Sequence, residues 1–419
     1  MAIRLAPPLS AAAVLALAGC GSSTGPGGGG DPPPIRTELP RSLSPSELRI
    51  VEGTNAFTFD LAREAARGLS SDSNMVLSPL SASMALAMAL NGADGATWTA
   101  MRDALRLDGL AEADIDQGFR DLTALLSGLD SRTEMRIANS MWADRSLTLL
   151  PGFVEAGRAF FDAEVATLDF AGPEASATIN GWVSKATNER IPRLLEQISS
   201  DEVLFLINAI YFKGTWRTAF DPRNTREGGF RTANGPVHAV PMMTLKDELR
   251  YADSEGWQAV DLLYGNGAFA MTVLLPAGER TPEQLVAELN AGRWAELTVR
   301  FEERPVTLTL PRFRVEYGRR LLDDLSALGM GVAFSGGADF SRIADVAPGR
   351  LYISRVDQKT FVEVNEEGTE VAAATAVGFT RTAAPGPVEM RVDRPFVFAI
   401  RERLSGAVLF LGVMNVVGE

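Results

Sequence analysis

Residues 361–377 read FVEVNEEGTEVAAATAV, from Phe361 to Val377, and the fold turns on how this stretch is taken. Phe361 to Val364 alternate as a strand does. Gly368 and Thr369 then break the pattern, and Ala372, Ala373 and Ala374 by themselves favour helix. One reading is a strand followed by a linker or a short surface helix. The other is a strand in waiting. Laid out with a period of two, Thr369, Val371, Ala373, Thr375 and Val377 share one face and are all small or β-branched. Glu370 falls on the opposite face with Ala372, Ala374, Ala376 and Gly378. Such a segment lies exposed in one state and enters a sheet in another without burying a charge. Gly368 supplies the backbone freedom of a hinge.

Around this stretch the chain reads as mixed α and β. Ser78-Pro79 predicts a helix start, with the Ser hydroxyl as N-cap and a proline where no amide is needed. Leu80 to Leu90 is apolar on every face, which predicts a buried helix ended by Asn91-Gly92. Val203 to Phe212 predicts a central strand with both faces covered. Val306, Leu308 and Leu310 alternate with Thr307 and Thr309, the mark of a strand with one buried face. Phe396 to Ile400 and Val408 to Val416 read as a C-terminal hairpin. Helices in the first half and strands weighted to the second predict an α+β fold. No second linker, repeat or composition shift interrupts residues 42–419, so they are expected to form a single domain.

The N-terminal stretch differs. Cys20 is the only cysteine of the 419 residues and closes Leu17-Ala18-Gly19-Cys20, which reads as a lipobox. Arg4 and the short apolar stretch Leu5 to Ala18 complete a lipoprotein signal peptide over 1–19, too short for a spanning helix of roughly 20 apolar residues. The plain alternative is an Ala-rich terminus with no targeting role. Cleavage before Cys20 leaves its thiol as the lipidation site, and stable anchoring requires more than one acyl chain. Residues 20–41, rich in Gly and Pro, then form a tether that stiffens at Pro32-Pro33-Pro34. The expected location is the cell envelope, lipid-anchored, on its periplasmic or extracellular face.

Catalytic signatures are scarce. His238 is the only histidine, which excludes a site with two imidazole ligands and leaves a Ser-His-Asp hydrolase without a Gly-x-Ser-x-Gly elbow. No phosphate-binding glycine motif follows a strand. The formal net charge of -13 argues against nucleic acid as a partner. The expectation is a protein that is not an enzyme and uses no metal and no cofactor.

Glu366-Glu367-Gly368-Thr369-Glu370 followed by small residues resembles the hinge of the serpin family, and other segments match in the family's order. These are MRVDRPFVFAI (Met390 to Ile400), Asn208 to Trp216 with Phe220 and Thr225, and Asn74 with Ser78-Pro79-Leu80-Ser81 and Gly92-Ala93. Leu310-Pro311-Arg312-Phe313 and Leu328-Gly329-Met330 also match, and together the matches cover essentially all of 42–419. The resemblance implies three β-sheets, eight or nine helices and an exposed reactive-centre loop. It implies a monomer that inhibits a serine protease, or a cysteine protease, as a suicide substrate. Cleavage of the loop yields a covalent acyl-enzyme, and insertion of the loop into the main sheet traps it.

By the same resemblance the hinge comprises Glu366, Glu367, Gly368, Thr369, Glu370, Val371, Ala372, Ala373, Ala374 and Thr375. Ser78, Ser81 and Asn208 match the gate beneath the sheet, and Gln358 stands where a histidine is common. Gln donates and accepts at once without titrating near neutral pH. The family's spacing puts the scissile bond between Thr382 and Ala383, and a count one shorter puts it between Arg381 and Thr382. Val371 departs from the family, whose inhibitory members more often carry Ala there. A non-inhibitory serpin, acting as decoy substrate, chaperone or binding module, is the alternative. Its usual bulky, charged or Pro hinge residues are absent from Thr369 to Val377 apart from the outward Glu370. No basic cluster between Thr97 and Phe119 invites a sulfated sugar.

Overall fold

Capping and proline chemistry set where the helices start. In the computed structural model, which describes residues 34–199, 202–369 and 387–418, α1 (Pro45–Ala66) opens on a capping box. Ser44 Oγ accepts from Glu47 N at 3.2 Å and Glu47 Oε2 accepts from Ser44 N at 2.7 Å. The helix α2 (Pro79–Leu90) is buried along its whole length, as its composition predicts. Its start corrects the cap expected from sequence: Ser78 Oγ makes no cap bond and donates instead to Leu409 O at 2.8 Å, so Pro79 alone marks the first turn. The remaining helices are α3 (Gly95–Ala104), α4 (Glu112–Ser127), α5 (Pro151–Phe161), α6 (Ala175–Ala186), α7 (Pro282–Glu288), α8 (Ala291–Val299) and the single turn α9 (Leu322–Leu325). None of the described helices is long and apolar enough to cross a membrane.

The strands are β1 (Met75–Leu77), β2 (Thr133–Asp144), β3 (Glu164–Leu168), β4 (Leu204–Thr215), β5 (Arg226–Arg231), β6 (Val237–Ser254), β7 (Trp257–Leu263) and β8 (Phe269–Pro276). After them come β9 (Glu302–Pro311), β10 (Phe313–Arg320), β11 (Arg355–Val364), β12 (Gly368–Thr369), β13 (Val388–Arg391), β14 (Phe396–Glu402) and β15 (Val408–Met414). Nine of them form one ladder in the order β1-β15-β14-β8-β7-β6-β9-β13, with β5 on β6. The 18-residue β6 runs through two of the three sheets expected, pairing with β5 in its first half and β7 in its second, so the two share one hydrogen-bonded path. The hairpin predicted at the C-terminus is β14 with β15. In β9, Thr307 and Thr309 are buried along with Val306, Leu308 and Leu310, so the expected single buried face becomes two.

The other ladder, β10-β11-β4-β2-β3 with β12 on β4, positions the candidate site. β4 is its central strand and is buried on both faces over Leu204 to Phe212, as its apolar run predicts. One face packs α6 over Phe205, Ile207, Ala209 and Phe361, and the other faces the main core through α2.

Candidate functional site

The ladder of β4 is intact on one side and divided on the other. β2 pairs with it from Thr133–Gly214 to Ala143–Leu204 without a break. On its other side β11 runs parallel, but that pairing covers only Arg355–Phe205 to Thr360–Ile210. Above Thr360 the strand β11 stays with β10 as far as Val364, and β4 stays with β2, so a slot opens between β4 and β11. The chain folds back into the mouth of this slot. Asn365 Oδ1 accepts from the amides of Glu367 (3.0 Å) and Gly368 (3.2 Å), an Asx turn that reverses direction. Gly368 and Thr369 then pair antiparallel with Thr215 and Gly214.

Side chains around the mouth fix this entry. Trp216 donates from its amide to Glu367 O (2.9 Å) and from Nε1 to Asn365 O (2.9 Å), and Phe220 N donates to Glu366 O (2.8 Å). The Glu366 carboxylate, 6% exposed, accepts from Thr225 Oγ1 (2.7 Å) and Arg312 Nη2 (2.5 Å). Burial pushes that carboxyl up, but the hydrogen bonds from Arg312 and Thr225 outweigh it and hold the group below the usual carboxylate value. Tyr264 stacks on Trp216 with ring centroids 4.4 Å apart, and its hydroxyl shares a 2.8 Å hydrogen bond with Thr369 Oγ1. Full burial pushes the Tyr264 phenol far up, so this contact does not ionise.

Lower down, the gate residues meet beneath the closed part of the ladder. Gln358 Oε1 accepts from Ser78 N at 2.9 Å, and Gln358 Nε2 donates to Ser78 O at 2.8 Å and Asn208 Oδ1 at 3.4 Å. Asn208 Nδ2 donates to Ser81 O (3.0 Å) and Asn139 Oδ1 (2.9 Å). Ser81 thus takes part through its carbonyl, while its buried hydroxyl has no partner among the described residues. In these bonds neutral side-chain amides meet one another and backbone groups, and every one of them crosses between segments distant in sequence.

Of the hinge, Glu366 to Thr369 are in place at the slot, whereas Glu370, Val371, Ala372, Ala373, Ala374 and Thr375 lie outside the described residues. So do Arg381, Thr382, Ala383, Cys20 and the 1–19 segment. His238 is exposed on β6 opposite Phe230 of β5, in the nine-stranded ladder and not in the ladder that holds the slot. No cluster of His, Cys, Asp and Glu suited to a metal occurs among the described residues. Sequence reasoning gave no role to Arg312, Thr225, Trp216, Tyr264 or Asn139. The first three stand inside matched segments, and their roles appear only once β4, β10 and the turn at Asn365 are juxtaposed.

A family model described as Serpin (serine protease inhibitor) matches residues 52–416. The chain belongs to the serpin family. Among its relatives, iripin-2 of Ixodes ricinus is 35% identical over 379 residues, 88% of this chain and 94% of the relative. Antithrombin-III of Homo sapiens is 33% identical over 391 residues, 88% of this chain and 84% of the relative. Among solved structures, that of a thermophilic serpin, tengpin, in the native state aligns with a TM-score of 0.81 at 27% identity over 92% of this chain and 97% of the other. Serpins are in general protease inhibitors directed at serine proteases and are not themselves catalysts.

Proposed function

We propose that this serpin is a suicide-substrate inhibitor of a serine protease. The observation that carries the proposal is the slot between β4 and β11, parallel strands held apart at one end with Gly368 and Thr369 already in its mouth. Parallel neighbours with a vacant lane between them accept one antiparallel strand, and the residues after Thr369 have the alternation such a strand needs. The protease hydroxyl attacks the carbonyl carbon of Thr382, the C–N bond to Ala383 breaks, the new amine leaves with the proton, and the Thr382 acyl group remains on the enzyme as an ester. Loop entry then makes backbone hydrogen bonds that the free loop lacks and carries the ester-linked enzyme away. Cleavage after Arg381 instead would direct the inhibitor to trypsin-like enzymes. A small residue at Thr382 suits elastase-like or subtilisin-like ones. Val371 keeps the inserting face small and β-favouring, which is compatible with entry.

The same proposal places the serpin at the cell envelope, tethered through acyl chains on Cys20, as a monomer. Challenge of the purified domain with an elastase-like protease tests the function. An SDS-resistant band at the summed mass, with a released peptide beginning at Ala383 by mass spectrometry, is the expected result. Clean loop cleavage with no such band would establish the decoy or binding-module reading in its place.

A further inference from the structure

The N-terminal segment joins the serpin body beside both stems of the reactive-centre loop. Ile35 lies against the turn between β7 and β8, its Cγ2 3.3 Å from where a Cβ on Gly267 would stand, and Arg36 N donates to Asn266 O at 2.8 Å. The same turn is tied to the end of β4, because Gly265 N donates to Thr215 O at 2.8 Å. Ile35 also lines a cleft of about 160 Å³ together with Trp216, Arg217 and Asp247. From this cleft each stem of the loop is a short step. Trp216 N donates to Glu367 O and Gly368 pairs with Thr215, so the outgoing stem at Thr369 stands one strand away. Asp247 of β6 pairs with Val306 of β9, which pairs in turn with Val388 of β13. The returning stem is thus two strand spacings from Asp247, about 10 Å. The closed end of the slot lies elsewhere. There Arg355 pairs with Phe205, ten residues along β4 from Thr215 and so roughly 33 Å from it.

The body is therefore attached by its loop end. Cys20 and Pro34 are fourteen residues apart, so the chain between them spans at most about 50 Å. A protease domain of about 200 residues is roughly 40 Å across. The reach of the tether and the height of an enzyme standing on the lipid match, and confinement of both to one thin layer raises their effective concentration. We propose that the acylated chain holds its loop end toward the lipid and that its partner is a serine protease held on the same lipid surface. This rests on the lipid-anchor and inhibitor readings above, and it adds to them the side from which the loop is reached and the kind of enzyme that reaches it.

The test uses the intact acylated chain, purified from producing cells and placed in vesicles of phosphatidylethanolamine and phosphatidylglycerol that carry an acceptor dye on the lipid. Acylation consumes the Cys20 thiol, so one introduced cysteine takes the donor dye. Asn224→Cys, exposed and next to the Thr225 that bonds Glu366, reports the loop end. Gln197→Cys, exposed in a groove shared with Arg355, reports the closed end. Energy transfer to the lipid is expected to be larger from position 224 than from position 197. In the second arm an elastase-like serine protease is either free in solution or held on the vesicles through a chelating lipid. The acylated chain is expected to inhibit the held enzyme roughly ten-fold or more faster than the free one. Inserting about sixty Gly and Ser residues between Gly30 and Asp31 is expected to remove the difference between the two labels and to cut that advantage several-fold, because effective concentration falls as a linker outgrows its span. Against free enzyme the inserted chain is expected to match the Cys20→Ala chain, which shows that its fold is intact. Equal transfer from the two labels, or more from position 197, overturns the proposal, and so does one common rate for held and free enzyme. A chain that does not stay with the vesicles overturns the lipid-anchor reading and the proposal with it. A chain that stays but forms no SDS-resistant complex with either enzyme overturns the inhibitor reading and the partner assignment together.

Discussion

At the scale of single residues, one carboxyl well out of its ordinary state is that of Asp116 on α4. It is 5% exposed, accepts from Asn91 Nδ2 at 2.7 Å, and lies near the Arg342–Glu112 ion pair. Burial is the main cause that pushes its carboxyl up to about 6, with the bond from Asn91 opposing. The folded protein therefore holds this proton more tightly than the unfolded chain does. Above about pH 6 the charged, buried carboxylate weighs against the fold, and stability is regained as pH falls toward the unfolded value near 4. Asp116→Asn, which keeps the acceptor for Asn91, is expected to raise stability at about pH 8 by on the order of 1–2 kcal/mol and to gain little at about pH 4.5, measured by urea unfolding. Equal stability of variant and wild type at the higher pH would count against it. Ser78, Asn208 and Gln358 were legible in the sequence as a group because each lies in or at fixed spacing from a matched segment. Asn139 was not. Inside an alternating strand an asparagine looks like a solvent-facing residue, and only the β2–β4 register, which sets Asn139 opposite Asn208, shows it to be buried and bonded.

At the scale of elements, the shortest strand constrains the most. Gly368 has φ 148, and a Cβ there would stand 2.1 Å from Gly214 O, so glycine is needed both for the backbone angle and for the close approach to β4. Gly368→Ala is expected to expel β12 from the mouth, cost about 1–3 kcal/mol of local strain if it stays, and break the Tyr264–Thr369 bond. The reporter is Trp216 fluorescence, because that indole stacks on Tyr264 and donates to Asn365 O. An unchanged spectrum would mean that the hinge tolerates the methyl group. The two readings of residues 361–377 part at this point. Alternation over Phe361 to Val364 located the end of β11, though not its start at Arg355, and Gly368 marked the break, but period alone does not say that the chain turns back to meet β4. That depends on the Asx turn at Asn365 and on the anchoring of Glu366 by Arg312, a residue 54 positions away. Ser78 failed as a cap for a related reason. Its hydroxyl has a competing acceptor in β15, which local sequence does not show.

At the scale of the whole molecule, residues 34–41, which the sequence reading assigned to a tether, are fastened to the serpin body. Arg36 N donates to Asn266 O at 2.8 Å, Leu39 packs against the core, and Arg41 makes a two-point ion pair with the buried Glu47. With the proposed acyl chains on Cys20, the Cys20→Ala chain is expected to move from the detergent phase to the aqueous phase in a phase-partition assay of producing cells and to inhibit with unchanged rate constants. A chain that still partitions with detergent would refute lipidation at that residue. Composition and order of motifs carried the class of fold, because apolar periodicity is local. The strand order β10-β11-β4-β2-β3 was not legible from periodicity, since it sets side by side strands distant in sequence, as where Gln358 of β11 pairs with Asn208 of β4.

The slot between β4 and β11 gives the population of molecules a memory. On the proposed function, a filled slot does not empty, so each chain changes state once, on meeting a protease, and stays changed. The fraction of heat-resistant chains on a membrane is then an integral of past proteolytic exposure and not a reading of present activity. It resets only as new chains are made.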